Sequence, residues 1–407
     1  MAKPYDICIV GGSLTGPVLA LALAGNGFRV ALIDSAPRSQ QTEPEFDGRA
    51  YALSSSSVNM LKTLGLWSLV QSQAQPISDI KVSDGVAGQG ASPMFLHFDH
   101  RELDDGVFGY MLEDRYLRQA IDEALDSADL INPRYETRLS SVEGGHACCL
   151  HGADQLDLHA SLVVGCDGRS SSVAKHAGID RMAWDYQQTS IVCSVAHEKD
   201  HDGIAHQFFT PAGPLAILPL PGRVSSIVWT EARHRAEEIL RLGDDGFLRS
   251  LRPVFGSFLG DITLVGRRYS YPLGLSLAHR FVSDRVALAG DAAHGIHPLA
   301  GQGLNLGMRD VAALAEVVVD AQRRGEDIGA TNVLERYQRW RRFDTAGLAL
   351  ATDGINRLFS NDNPLLRAGR DLGLAAVSRM PGLRQRFMRE AAGLTGDMPR
   401  LLRGQSL

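Results

Sequence analysis

Residues 285–310, RVALAGDAAHGIHPLAGQGLNLGMRD, decide how the rest of the chain is read. Arg285 to Ala289 is a short apolar run of the kind that forms a buried strand. Gly290 lets the chain turn, and Asp291 stands at the strand's carboxyl end, where open α/β sheets bind ligands. A glycine-rich loop follows, with Pro298, Gly301, Gly303 and Gly307. From about Leu306 the apolar residues have helical spacing. A strand-end carboxylate can take the hydroxyls of a polyol or a ribose. A glycine-lined helix start offers free N–H groups and a positive dipole end to a delocalised anion. An ordinary strand-loop-helix crossover has the same outline, so the rest of the chain must decide.

The N-terminus supplies a second such unit. Tyr5 to Val10 is a buried-strand run, GGSLTG (residues 11–16) opens a helix from Pro17 to Gly25, and FRVALID ends a second strand at Asp34. In this dinucleotide fingerprint Gly11 makes the tight turn, Gly16 lets helix and strand pack closely, and Asp34 can bond an adenosine ribose. The middle glycine is replaced by Ser13, with Gly12 beside it; a small residue still permits close approach of a pyrophosphate. The pattern implies an ADP-containing cofactor without choosing between NAD and FAD. A third strand, turn and helix lies in ASLVVGCDGRSSSVAKHAGI, with Asp167 and Gly168 in the turn.

Between these motifs the patterns change. Residues 77–109 carry short alternating stretches that suit antiparallel strands, and GYMLEDRYLRQAIDEAL reads as one helix. Residues 185–271 are short, alternating and punctuated by Pro and Gly, which predicts an antiparallel sheet without helices between its strands. Phe208, Phe209, Leu218 and Trp229 fit plain core as well as a pocket wall. The expected class is α/β: a Rossmann-like domain with a parallel sheet (1–76, 100–184 and 272–345), an antiparallel-sheet substrate domain (77–99 and 185–271) and a helical C-terminal region (346–407). Arg49 and Arg115 are equally readable as surface ion-pair partners or as contacts to an anionic ligand.

A net charge of −6 argues against a nucleic-acid surface. Five cysteines without CxxC or zinc spacing read as reduced thiols of a cytoplasmic protein. No apolar run approaches the ~20 residues that span a bilayer. His294 and His297 sit three apart in a loop with no third ligand nearby, so no metal is expected. From Gly354 onward nine arginines meet four acids, a local balance of +5. Interleaved with Leu, Phe and Met, these arginines fit a solvated helix face or a basic surface for anionic lipid or a partner.

With GGSLTG early, GCDGRSS in the middle and AGDAAHGIHPLAGQGLNLG late, the sequence resembles the FAD-dependent aromatic hydroxylases of the para-hydroxybenzoate hydroxylase fold. FDGRAYALS, LEDRYLRQAI and the tail NPLLR…FMREAAGLTGDMPRLLRG look like the ubiquinone-biosynthesis (UbiH-type) branch. Ser13 and Asp34 depart from the family's usual glycine and glutamate. The resemblance implies that Gly11, Gly12, Ser13, Gly16 and Asp34 bind the ADP half of FAD, with Arg49 and Arg115 at its phosphate or flavin regions. Asp167 and Gly168 would lie near the pyrophosphate and the passing nicotinamide. Asp291 would hold the ribityl chain, and Pro298, Gly301, Gly303, Leu304 and Asn305 would face the isoalloxazine. A reduced flavin presents both the polyol and the anion that the opening stretch suits.

The implied activity is a monooxygenase that uses NADH or NADPH and O2 to hydroxylate a polyprenylated phenol or quinol through a flavin C4a-hydroperoxide. No protein nucleophile or general base is then needed, because the cofactor carries the hard chemistry. A membrane-borne substrate would give the basic tail a role at the inner face of the membrane or in a biosynthetic complex. The alternatives are a flavin-dependent reductase or oxidase of the same fold, or a non-catalytic flavoprotein organising such a complex. A halogenase would carry WxWxIP, which is missing, and a plain NAD dehydrogenase leaves Asp167 and Asp291 without a role.

Overall fold

The computed structural model describes residues 5–40, 46–86, 90–102, 106–295, 302–359 and 380–407. The first βαβ unit forms as its sequence requires. Strand β1 (Tyr5–Val10) leads to helix α1 (Thr15–Ala24) and strand β2 (Val30–Ile33). Ile7, Cys8 and Ile9 have no exposed surface, as an unbroken apolar run in a parallel sheet should. Helix α1 is apolar all round because it also lies under the long helix α2 (Gln302–Arg323).

Strands β3 (Ile131–Arg134), β4 (Asp154–Gly165) and β5 (Val286–Leu288) complete the parallel part of the sheet. In space the order is β5-β4-β1-β2-β3, every neighbouring pair parallel. The two-residue strand Val282–Ser283 closes one edge antiparallel. The first half of β4 leaves the layer and pairs antiparallel with His146–His151. Helix α3 (Thr331–Phe359) follows α2, and its Tyr337 is buried with its hydroxyl donating to the Leu288 carbonyl at 2.7 Å.

A second sheet of eight strands stands beside the first. Its two longest strands, Arg181–His197 and Ile262–Ala278, run antiparallel from the pair Arg181↔Ala278 to His197↔Ile262. Asp79–Val86 and Gly90–Asp99 form its far edge. At the near edge His294–Gly295 pairs with Ser276 and Leu277, so the loop after Asp291 is stitched to the second sheet. The loop that leaves the carboxyl end of β5 is thus tied to both sheets.

Two expectations need correction. Helices Arg233–Leu240 and Asp244–Phe255 lie within the segment expected to lack them. Ala236, Ile239, Phe247, Leu251 and Phe255 bury one face of this pair against Ile191, Phe208 and Trp229 of the sheet. GYMLE is a strand, Gly109–Glu113, paired antiparallel with Ala50–Ser54, and the helix starts only at Asp114. At the expected boundaries 184/185, 271/272 and 345/346 the chain passes from one unit to the next within the continuous elements Arg181–His197, Ile262–Ala278 and α3. The C-terminal tail is also more than surface. Helix Pro381–Ala391 buries Met388, and the last turn buries Leu401 and Leu402.

Candidate functional site

At the shared carboxyl edge of the parallel strands lies a cavity of about 430 Å³. Of the residues singled out from sequence, Gly11, Ser13, Asp34, Asp167, Gly168, Asp291, Gly303 and Leu304 line it together. They come from five separate parts of the chain, brought together because parallel strands end on one side.

The glycine turn fits a ligand that must meet bare backbone. Gly11 has φ +114° and donates its N–H to the Ile33 carbonyl at 2.8 Å. A Cβ at Gly11 would lie 2.3 Å from the Cys166 carbonyl oxygen, and one at Gly16 would lie 1.9 Å from the Gly11 oxygen. Both positions therefore exclude a side chain. Asp34 holds this turn from the side: it accepts the Gly12 N–H on Oδ2 and the Ala36 N–H at 2.7 Å on Oδ1. Each oxygen keeps a further lone pair for a sugar hydroxyl.

Asp167 is bound within its own loop. It accepts the Ser171 hydroxyl at 2.5 Å, the Ser172 N–H at 2.6 Å and the Ser172 hydroxyl at 2.8 Å. The carboxylate thus fixes the turn after β4, with Gly168 at φ +80° facing open space. Asp291 differs: its side chain is 46% exposed, and the Arg169 guanidinium that pairs with it at 3.3 Å is 42% exposed. A Cβ at Gly303 would meet nothing within 4 Å, so the first turn of α2 presents unobstructed backbone to the cavity.

A buried charge network supports the Asp291 turn, and sequence reading missed its centre. Asp310, on α2, has no exposed surface. Its Oδ2 accepts the Gly290 N–H at 2.9 Å and lies 2.5 Å from His294 Nε2, while Oδ1 accepts Arg341 Nε at 2.8 Å. Burial pushes the Asp310 carboxyl up, but the charges of His294 and Arg341 outweigh it and hold the group below the usual carboxylate range. His294, weighed above as a metal ligand, is thus committed to Asp310. A carboxylate midway along an amphipathic helix looks like part of the solvated face; its only sequence signal is its distance of 19 residues from Asp291 on the same strand-loop-helix unit.

The two expected arginines are held by neighbouring carboxylates and aromatic rings. Arg49 donates Nε to Asp47 at 2.6 Å, reaches Asp114 at 3.4 Å and lies over the Tyr269 ring. Arg115 donates Nε to Glu113 at 2.7 Å and stacks on Tyr116. Neither is among the residues lining the cavity. Arg118, one helical turn beyond Arg115, is the arginine that reaches the glycine turn, at 3.4 Å from Ser13 Oγ, anchored by Asp114. Arg138 lines the cavity and was also missed. The Asn305 side chain donates to the Ala52 carbonyl and accepts from the Ser54 N–H and the Ser57 hydroxyl, all at 2.8–2.9 Å, which pins α2 to the helix start at Ser55. Pro298 and Gly301, like His297, lie outside the described residues.

The model of the FAD binding domain family matches residues 4–343. The chain is 45% identical to the ubiquinone hydroxylase UbiL of Rhodospirillum rubrum, covering 100% of this chain and 94% of the relative. It is 36% identical to the 3-demethoxyubiquinol 3-hydroxylase of Escherichia coli, covering 96% and 99% respectively. The p-nitrophenol 4-monooxygenase PnpA of Pseudomonas putida superposes with a TM-score of 0.78 over 97% of this chain and 99% of that one; at 21% identity this likeness speaks to the fold.

Proposed function

The chain belongs to the FAD binding domain family, in its ubiquinone-hydroxylase branch, and from that premise we propose that it hydroxylates the aromatic ring of a polyprenylated phenol or quinol during ubiquinone biosynthesis. It is an FAD-dependent monooxygenase that draws on a reduced nicotinamide cofactor. The observation that carries the reading is the one cavity lined by Asp34, Asp167, Asp291 and the bare first turn of α2.

Bound FAD supplies the redox chemistry, taking electrons from NADH or NADPH and delivering them to O2 so that one oxygen atom reaches the ring. The chain's residues have three tasks. Gly11, Gly12, Ser13 and Gly16 let backbone N–H groups approach the pyrophosphate, and Asp34 takes the adenosine ribose hydroxyls. Asp291 takes hydroxyls of the ribityl chain. The N–H groups at the start of α2, with its positive dipole end, stabilise negative charge on the cofactor's pyrimidine ring. No side chain is assigned as general acid or base. The second sheet, with Gly295 stitched to Ser276, would cover the ring and exclude water that releases peroxide unproductively.

In this reading the FAD-binding unit comprises 1–76, 100–184 and 272–345, and the substrate unit 77–99 and 185–271. The C-terminal region makes peripheral contact with the membrane that carries the substrate, or with partner enzymes. In support, Phe343 and Leu350 on α3 are 88% and 72% exposed, and Phe387 stands exposed between Arg386 and Arg389. Among the described residues no helix is long and apolar enough to cross a membrane. The direct test of function is the quinone profile of cells lacking the gene. A prenylated ring short of one hydroxyl should accumulate, and an unaltered profile would refute the assignment.

A further inference from the structure

Ligand-type side chains converge at the outer edge of the second sheet, outside the flavin cavity. Asp79 and Asp99 are direct cross-strand partners in the ladder between Asp79–Val86 and Gly90–Asp99, so their side chains share one face. His100 follows in the turn His100–Glu102. One ligand atom from each of Asp79, Asp99 and His100 lies within 4.8 Å of the others. His97, two residues before Asp99 and therefore on the same face, has Nε2 2.7 Å from Asp79 Oδ1.

The geometry leaves one atom without an assigned role. His100 Nδ1 is shielded from solvent, has no hydrogen-bond partner among the described residues and lies 3.7 Å from Asp99 Oδ1. That separation is too long for a hydrogen bond. It suits two ligands of a common ion, since donors each ~2.1 Å from a tetrahedral cation lie about 3.4 Å apart. The local charge also suits a cation, because two carboxylates face each other across the ladder. Arg101 now occupies one of them, donating Nε and Nη2 to Asp99. Its side chain is 78% exposed, and such surface pairs are readily displaced. Lys81, the cross-strand partner of His97, is the other positive charge close by.

We propose that Asp79, Asp99 and His100 form a three-ligand binding site for a divalent first-row metal ion of the zinc class, with His97 hydrogen-bonding and orienting Asp79. An imidazole beside two carboxylates favours zinc over magnesium or calcium, which prefer all-oxygen shells. The ion would tie the turn His100–Glu102 to the edge strand. Glu102 in turn pairs with Arg384 of the helix Pro381–Ala391, so the site steadies the turn on which that helix rests. The proposal does not depend on the hydroxylase reading.

The test uses the FAD-loaded protein, freed of metals by chelator and titrated calorimetrically with Zn2+, then with Co2+ under visible light. One Zn2+ per chain should bind, with affinity lowered roughly tenfold or more in His100→Gln and in Asp79→Asn, and FAD content unchanged. Neither substitution removes a backbone contact, since His100 bonds Ser78 through its own N–H. The Co2+ complex should show the d–d bands of a nitrogen and oxygen site. Lack of saturable binding, full affinity in both variants, or a thiolate charge-transfer band placing the metal on a cysteine would each overturn the proposal.

Discussion

Asp310→Ala probes the support beneath the Asp291 turn. The carboxylate has no exposed surface and meets Gly290 N–H at 2.9 Å, His294 Nε2 at 2.5 Å and Arg341 Nε at 2.8 Å. Removing one partner of a buried ion pair costs about 3–5 kcal/mol, because the other charge stays buried. Arg341 keeps Asp344 at 2.6 Å, which argues for the lower end of that range. The Gly290 N–H also loses its acceptor, at about 1–3 kcal/mol, but groups in one network do not add. The expected loss is therefore about 3–4 kcal/mol, a large part of a typical folding free energy of 5–15 kcal/mol. Urea unfolding of the flavin-free protein measures it. Asp310→Asn, which keeps an acceptor for Gly290, should lose about half as much on the same grounds. The pH dependence has a definite sign. A carboxyl held below its unfolded value of about 3.9 contributes stability that is present above that pH and lost as pH falls through the lower folded value. The difference between Asp310→Ala and the parent should thus stay constant between about pH 5 and 8 and shrink below about pH 4. A loss under about 1 kcal/mol at neutral pH would refute the reasoning, since no buried pair should yield so cheaply.

Gly16→Ala places a Cβ 1.9 Å from the Gly11 oxygen, and the purified protein should come out colourless or insoluble; normal flavin content would contradict the cradle geometry. Burial pushes the His206 imidazole down to about 4. The unfolded chain then takes a proton that the folded one refuses, so stability should fall as pH drops from about 6.5 towards 4, by up to about 3 kcal/mol. His206→Phe should flatten that slope in acid unfolding curves. Reversing Arg386 and Arg389 to Glu should weaken sedimentation with anionic liposomes several-fold, and unchanged binding would dismiss the tail's membrane role. These two arginines are exposed, whereas deleting the tail from 354 would strip away the buried Met388, Leu401 and Leu402.

Strands β1, β2 and β5 were legible because each is a short apolar run, with positive-φ glycines turning the chain after β1 and β5 at Gly11 and Gly290; β3, with the sequence INPR, carries no such signal. The meeting of Asp34, Asp167 and Asp291 was legible for the same reason: strand-end residues of one parallel sheet must meet. Residues whose partners lie far away in sequence were less legible. GYMLE carries apolar residues that run on in helical spacing towards Leu117 and Ile121, and only its pairing with Ala50–Ser54 makes it a strand. The helices at 233–255 did leave a trace, since Phe247, Leu251 and Phe255 recur every four residues. Charged neighbours and a surrounding run of strands hid it. That Arg118 lies near Ser13 could not be read from sequence, because the face of a helix that meets the Ser13 turn depends on how the helix is docked. Asp310 escaped for the opposite reason: it looked like solvated surface, and only the packing of α3 over it encloses the charge.

The grip of Asp291 on one FAD molecule, with its adenine end on the first βαβ unit, is tested most directly by the FAD dissociation constant of Asp291→Ala, measured by flavin fluorescence quenching. Losing a carboxylate's hydrogen bonds to ribityl hydroxyls, worth about 1.5–3 kcal/mol, should weaken binding roughly 10- to 150-fold with the fold intact by circular dichroism. FAD bound as tightly as by the parent protein would contradict the placement of the cofactor, and with it the role given to every residue around the cavity.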